Sequence, residues 1–261
     1  MGLISRMAVA KFTALTTRKT VPVRTPAPSR LTQGSSVVIS QVPLVLAQAG
    51  GALFPADTFK ASQSVVAIGR YEMAGFTVYR AYLSDGTSFI EAPVQYRMPL
   101  DRPAFLRLYT LNEEFFPSSP DQQNFFIGAD PRYETVIVQG MPTPFNPTGQ
   151  MQEQRLVADR VPALIGWPLF ERGPDGAKVT FERTWAGGEQ AVDPVVVWET
   201  VTDADGTINT VTHRMMQYQR SVGGVTEHLY ADYAETAQGN VVDVHLGLDL
   251  AASTITILTA A

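Results

Sequence analysis

The sequence predicts a mainly β protein of the α+β type. Antiparallel sheets are expected in a sandwich or an open barrel, with one or two short helices and a disordered N-terminal arm. The first observation is a series of short runs rich in Val, Ile, Tyr and Phe, separated by Gly, Asp and Pro turn signals. The second is Asp85-Gly86 between two such runs, because Asp-Gly is the strongest short-range signal for a β-hairpin.

Residues 1–35 are predicted to form a disordered basic arm. No acidic residue precedes Asp57, and the chain after that point carries 14 basic and 25 acidic residues. A basic arm on an acidic body binds either that body or an anionic surface. We therefore expect weak contact with anionic membrane surfaces and no specific binding of nucleic acid. The side chains expected to make the membrane contact are Arg6, Lys11, Arg18 and Lys19.

Residues 36–261 are predicted to form a single β-rich domain, organised around a three-strand meander between Ser64 and Glu91. Turns are expected at Met73–Gly75 and at Asp85-Gly86. A two-residue loop at the second turn sets the register, because cross-strand partners then follow in steps of one residue. The predicted pairs are Ser84 with Thr87, Tyr82 with Phe89, and Arg80 with Glu91.

The middle of the chain contains one predicted helix between two predicted strands. Phe105–Phe116 and Tyr133–Gln139 have strand-like composition. Between them, Ser119 stands at the N-cap position before Pro120, which predicts a short helix over Pro120–Ile127. Residues 141–160 are rich in Pro and polar residues, which predicts a long loop and a possible internal domain boundary.

The second half is predicted to be a succession of strands. Asp203–Gly206 has the composition of a turn and lacks the later ligands of a calcium loop. The three tryptophans, Trp167, Trp185 and Trp198, stand in strand patterns and are predicted to lie in the core. The predicted strands are Ala163–Phe170, Ala177–Trp185, Pro194–Thr200, Ile208–Arg220, Thr226–Ala234, Val241–Leu250 and Thr254–Leu258.

Composition excludes several classes of protein. The chain has no cysteine, so disulfide scaffolds, thiol catalysis and thiolate metal sites are excluded. No apolar segment reaches the length of a membrane-spanning helix. Lys11 interrupts the only apolar run near the N-terminus, which argues against a signal peptide. A cytoplasmic location is therefore expected.

Several phrases occur in an order that resembles the YjfK-like family, which consists of bacterial proteins whose defining domain has no assigned function. They are VAIGRYEMAGFTVYRAYLSDGTSFIE, LRLYTLNEEFFPSSPDQQNFF, LIGWPLFE, HRMMQYQR and VDVHLGLDL, and the resemblance spans roughly Ser36 to Leu258. The phrases include no catalytic motif, so the resemblance implies no site residues. It implies a cytosolic role in envelope or membrane stress and a protein partner from such a system.

The last large hairpin is the one concentrated site candidate. With a turn at Gln238-Gly239, Asp232 would face His245 and His228 would face Asp249. Alternation puts these polar side chains on one face, which we expect to be exposed to solvent while the apolar face packs inward. Imidazole and carboxylate groups together are a plausible metal or acid–base site, and the alternative is an ordinary solvated face.

Two functions remain open from the sequence. The first is a non-enzymatic interaction or accessory protein linked to membrane stress, which needs no cofactor. The second is a metal- or small-molecule-dependent enzyme that uses His228, Asp232, His245 and Asp249. The two are distinguished by whether these side chains meet in a pocket or lie on a convex sheet face.

Overall fold

The computed structural model describes residues 31–95, 103–117, 123, 127, 133–139, 150–156, 179, 181–184, 194–236 and 239–258. Several predictions therefore fall outside the described residues: the arm up to Arg30, the strand at Ala163–Phe170, and Trp167 and Trp185. Most of the predicted helix Pro120–Ile127 also falls outside them. The described chain begins at Leu31, which is buried in the core.

The described part of the chain contains thirteen strands and one α-helix, with a 3-10 turn at Ala252–Thr254. No helix in this part is long and apolar enough to cross a membrane. The elements are β1 (Ser36–Ile39), α1 (Gln41–Ala49), β2 (Ser62–Met73), β3 (Phe76–Leu83), β4 (Ser88–Gln95), β5 (Leu106–Phe115), β6 (Tyr133–Gln139), β7 (Gln150–Leu156), β8 (Glu182–Arg183), β9 (Val195–Asp203), β10 (Ile208–Val222), β11 (Val225–Thr236), β12 (Gly239–Leu250) and β13 (Ile255–Leu258).

Eight antiparallel strands form a closed barrel in the order β2-β3-β4-β5-β12-β11-β10-β9. The ring closes where Ile68 on β2 pairs with Thr202 on β9. The predicted mainly β class is confirmed, and the strands form a closed barrel where a sandwich or an open barrel was expected. Beyond the ring, β1 pairs with β2 and β13 with β1, while β8 pairs with β10; β6 and β7 form a separate two-stranded sheet.

The predicted meander is confirmed in its register. Arg80 pairs with Glu91 and Tyr82 with Phe89. The turn between β2 and β3 uses Ala74 and Gly75, both with positive φ (50° and 83°), as two-residue hairpin loops require. The Asp85 side chain holds the next turn, because its Oδ1 accepts the N–H groups of Thr87 and Ser88.

The register predicted for the last hairpin is wrong by two residues. Asp232 pairs with Asp243, Tyr230 with His245, and His228 with Gly247. The turn is therefore centred one residue earlier along the chain than predicted. A shift of two residues keeps every side chain on its predicted face, since strand alternation has a period of two.

Two other predictions are wrong in part. Within the predicted loop 141–160, Gln150–Leu156 form β7 and pair with β6. A backbone ladder does not require apolar side chains, so the polar composition of this segment did not reveal it. Trp198 was placed in the core, but its side chain is 67% exposed. Trp198 is on the outward-facing side of β9, whereas Val197 and Val201 point into the barrel.

The outer wall of the barrel is partly covered by the N-terminal segment. Apolar residues of β11 and β12, such as Leu229 and Val244, join one core cluster with Leu44 of α1 and Phe54. Buried Glu227 fixes this segment, since its Oε1 accepts the N–H groups of Leu53 at 2.6 Å and Phe54 at 2.8 Å. The opposite faces of the same strands line the barrel interior.

Candidate functional site

The barrel interior contains a cluster of ionisable side chains. Arg80 lies on β3 and Tyr230 on β11, four strands apart in the ring of eight. Arg80 Nη2 nevertheless donates a hydrogen bond to Tyr230 Oη at 2.7 Å. The two side chains therefore meet across the interior. We call the buried group Arg80, Glu91, Glu199, His213, Asp232 and His245 the interior cluster.

Arg80 is the central cation of the interior cluster and is 1% exposed. Its guanidinium lies 3.6 Å from Glu91 and 3.5 Å from Glu199. The rings of Tyr71, Phe89 and Tyr230 surround it at 4.8–5.0 Å from their centroids. Carboxylates and aromatic faces both favour a buried cation, so Arg80 stays charged away from water.

His213 joins two carboxylates through both of its ring nitrogens. Nδ1 lies 2.6 Å from Asp232 Oδ2, and Nε2 lies 2.8 Å from Glu199 Oε2. Burial by itself lowers the pKa of His213, but Asp232 and Glu199 outweigh it and raise the pKa to about 9. His213 is therefore an imidazolium at neutral pH, and both its protons are engaged.

The two carboxylates respond in the opposite direction. Burial raises the pKa of Glu199, but Arg80 and His213 outweigh it and lower that pKa below its ordinary value. Burial likewise raises the pKa of Asp232, but the effect of His213 is in the opposite direction and the net result is a decrease. Tyr82 adds a hydrogen bond to Glu199 Oε2 at 2.7 Å. Both carboxyl groups are thus ionised partners of a buried cation.

His245 has the reverse electrostatic environment. Burial lowers its pKa, and the cations Arg80 and His213 lower it further against the opposing effect of Asp232, to about 3. Its ring lies 5.2 Å from the ring of Phe89 and 5.9 Å from that of Tyr230. His245 is therefore neutral at physiological pH, a few ångströms from the protonated His213 network.

A second, smaller group lies where β5 begins and β12 ends. Asp249 Oδ1 is 2.9 Å from Arg107 Nε and 3.0 Å from His228 Nε2. Burial raises the pKa of Asp249, but the hydrogen bonds from His228 and Arg107 outweigh it and lower that pKa to about 2. The Asp249 side chain is half exposed, so this group meets solvent at the end of the barrel.

The four residues predicted for the polar face are on one face, as expected, but that face points into the barrel. His228, Asp232 and His245 are buried, and only Asp249 is exposed. The expectation of a solvent-exposed polar face is therefore wrong, because closure of the barrel turns the inner face of every strand away from water. The structure joins His228 to Asp249 and Asp232 to His213.

Within the described residues, no group of three or more His, Asp or Glu side chains has an arrangement that holds a metal ion. His213 supplies no lone pair to a metal, because both nitrogens already bind carboxylates. The metal or acid–base hypothesis for His228, Asp232, His245 and Asp249 thus receives no geometric support from this part of the chain.

Two glycines make room for the interior side chains. A Cβ atom on Gly69 would lie 1.7 Å from Glu199 Oε1, and one on Gly247 would lie 2.5 Å from the ring of Tyr109. Real Cβ atoms do not approach so closely. Gly69 and Gly247 are therefore required by the packing of Glu199 and Tyr109, not by their backbone conformation.

Some buried polar atoms of the interior cluster have no hydrogen-bond partner in the described structure. They are Arg80 Nε, Glu199 Oε1, Asp232 Oδ1 and His245 Nδ1. A buried acceptor left unpaired costs about 1–3 kcal/mol. Such atoms in a folded protein indicate a water molecule, an ion or a ligand that completes their hydrogen bonds.

Glu199 and His213 were not identified from the sequence, although a signal for them exists. Each takes the place of an apolar residue in an alternating strand. Val197 and Val201 stand two residues before and after Glu199, and Val211 and Met215 stand two residues before and after His213. These apolar neighbours are buried inside the barrel. A charged residue at such a position predicts a buried ionisable group, which needs a partner of opposite charge.

Comparison with known proteins gives one match to part of the chain and no function. Residues 170–256, about a third of the chain, match a family model described as a protein of unknown function (DUF2491). This segment contains Glu199, His213, Asp232 and His245, and it excludes Arg80. No curated protein and no solved structure matches the chain.

Proposed function

We propose that this chain is a non-enzymatic binding protein, and that the barrel interior holds one small, positively charged molecule that donates hydrogen bonds. Two buried carboxylate oxygens without a hydrogen-bond partner carry the proposal, Glu199 Oε1 and Asp232 Oδ1. A closed barrel of eight strands has an interior wide enough for side chains or for one small ligand.

Charge favours a cation over an anion in this interior. The interior cluster has three carboxylates, on Glu91, Glu199 and Asp232, and two cationic groups, on Arg80 and His213. Carboxyl groups therefore outnumber cationic groups in this interior, where Asp243 is also buried opposite Asp232, and a buried charge is costly unless it is paired. A ligand ammonium group would pair with such a carboxylate and would also donate hydrogen bonds to the unpaired oxygens.

The protonation states argue for binding and against acid–base catalysis. An efficient general base has a pKa near the working pH and a free nitrogen or oxygen. His213 has a pKa of about 9 and both nitrogens engaged, while His245 has a pKa of about 3. Neither histidine is poised to move a proton at neutral pH.

The cellular setting that we propose rests on the sequence resemblance. A YjfK-like bacterial protein would act in the cytoplasm as an accessory of a membrane-stress system. The match to a family of unknown function is compatible with that assignment. A barrel that binds a small cation would then serve as the sensing or buffering member of such a system.

Ligand binding is tested by thermal shift and by native mass spectrometry of the full chain. Butylammonium, butyrate and butanol differ in charge but little in size. We expect stabilisation by the amine alone, and loss of that stabilisation in Asp232→Asn. Glu72→Gln is the matched control, because Glu72 is an exposed carboxylate that pairs with Arg70 on the outer wall.

Two results would overturn the proposal. One is equal stabilisation by butyrate and butylammonium. The other is a wild-type protein that neither shifts its melting temperature with any amine in a panel of increasing size nor carries a small molecule after gentle purification. If Asp232→Asn does not fold, Glu199→Gln provides the second test of the same acceptor set.

An interaction with a protein partner is a second candidate function, favoured by the outer wall of β9 and β10. Trp198 is 67% exposed, and Val196 shares its face of β9. Exposed tryptophan on a rigid strand is typical of interface hot spots. A partner captured by chemical crosslinking from cells should be lost with Trp198→Ser and kept with Phe116→Ser, which removes an equally exposed aromatic side chain. Loss with both variants would contradict a role for this wall.

A further inference from the structure

A surface without charge lies around the outermost strand of the sheet. Leu31 to Ala56 contains no ionisable side chain, and neither does Ala251 to Leu258. The whole chain, by contrast, carries 20 basic and 25 acidic residues. These two stretches include β1, α1 and β13, which we call the uncharged edge.

The elements of the uncharged edge are neighbours in space. β13 pairs with β1 along its whole length, from Ser36 with Leu258 to Ile39 with Ile255. Ser40 links β1 to α1, and its N–H donates to the carbonyl of Thr254 at 2.8 Å. The start of the helix therefore lies beside the start of β13.

Within the described part of the chain, no strand pairs with the second edge of β13. Among the described strands it pairs only with β1 and ends the sheet. Proteins normally protect such an edge with a charged residue, a proline or a bulge. Ile255-Thr256-Ile257-Leu258 has no charge and no proline, and its pairing with β1 shows no register shift.

Exposed apolar side chains accompany this open edge. Leu258 is 55% exposed on β13, and Val38 is 36% exposed on β1. On α1, Val42, Val45 and Leu46 are between 49% and 66% exposed. The register puts Val38 and Leu258 on the same face of the β1–β13 pair, and neighbouring exposed apolar residues are more typical of protein interfaces than scattered ones.

We propose that β13 pairs with β13 of a second copy of this chain, antiparallel and about a two-fold axis. Charge selects this occupant. Two copies carry the same net charge of −5 and repel one another over most of their surfaces, but not at the uncharged edge. A strand without charge meets its own copy with no like-charge pair, as an isologous interface requires.

The proposal is tested on the full chain by sedimentation velocity over a range of concentrations. Wild-type protein should show a dimer. Thr256→Lys with Leu258→Lys places like charges on both copies at exposed positions and should weaken dimerisation at least tenfold, which corresponds to about 1.4 kcal/mol. Ile208→Lys is the control, because it adds the same charge at an exposed position of β10.

Crosslinking supplies a second measurement that does not depend on weakening the dimer. The chain has no cysteine, so Thr256→Cys is a unique reaction site and Ile208→Cys is its control. A short bismaleimide should join two copies through Cys at position 256 and not through Cys at position 208. A monomeric wild type at every concentration overturns the proposal. A dimer that survives the two lysines in a folded variant, or equal crosslinking at both positions, does so as well.

Discussion

Two of the buried histidines, His213 and His245, should give the stability of this protein a maximum near pH 6.5, with a different one responsible for each side. His213 has a folded-state pKa of about 9 and an ordinary value of 6.5. The folded state therefore holds a proton that the unfolded chain releases between these values. Stability from this proton is fully present below pH 6.5 and is lost as the pH rises through 9.

The magnitude follows from the same two values. Each pH unit is worth about 1.4 kcal/mol for one proton, so raising the pH from 6.5 to 9 should cost about 3 kcal/mol of the free energy of unfolding. Burial raises the pKa of Tyr71, Tyr82 and Tyr230 well above 10, so these groups do not titrate in this range. The alkaline limb therefore belongs to His213.

The acid limb has the opposite cause. His245 has a folded-state pKa of about 3. Between pH 6.5 and 3 its side chain is therefore protonated in the unfolded chain and neutral in the folded protein. Stability is then lost as the pH falls, by up to about 5 kcal/mol. Glu199 and Asp232 also make the folded state less stable in acid. Their pKa values are lower in the folded protein than in the unfolded chain, so the unfolded chain binds protons first as the pH falls.

Urea denaturation at a series of pH values measures both limbs. His213→Gln should be less stable than wild type at pH 6 and should show a flat profile between pH 6.5 and 9. His245→Phe keeps an aromatic ring beside Phe89 and should make the acid limb shallower. The reasoning is refuted if wild-type stability is constant from pH 6.5 to 9, or if His213→Gln keeps the alkaline limb.

Three further predictions concern packing and the arm. Arg80→Met removes the guanidinium that lies beside both Glu91 and Glu199 and leaves Glu199 with His213 alone, so chemical denaturation should show a loss of about 3–5 kcal/mol. Arg70→Met on the exposed outer wall should cost little, and equal losses would contradict a central role for Arg80. Gly69→Ala forces Glu199 to move and should lower stability by about 1–3 kcal/mol in the same assay, so an unchanged value would mean that Glu199 can move away from residue 69 at no cost. Deletion of residues 1–30 should abolish weak, salt-sensitive sedimentation with anionic vesicles, and equal sedimentation of both forms would remove the membrane contact assigned to Arg6, Lys11, Arg18 and Lys19.

Local chemistry was sufficient to predict the hairpins. The Asp85-Gly86 signal predicted the pairing of Arg80 with Glu91 correctly. The connection spans four residues, Ser84–Thr87, and not the predicted two, but it is centred on the same bond and so keeps the same register. The shared face of His228, Asp232 and His245 was also predictable, since alternation depends only on residue number. The exact partners across the last hairpin were not, because Gln238-Gly239 is a less specific turn signal than Asp-Gly.

The sequence by itself determined the strands, their faces and most of their turns, since these depend on neighbours along the chain. Whether a polar face meets water or the inside of a barrel depends on the pairing of β2 with β9, whose partners Ile68 and Thr202 are far apart in sequence. That closure brings Arg80 on β3 close to Glu199 on β9, whereas Glu199, His213 and Asp232 already lie on strands that pair directly with one another. A charge that looks solvated along one strand becomes a buried ion pair only when the eighth strand meets the first.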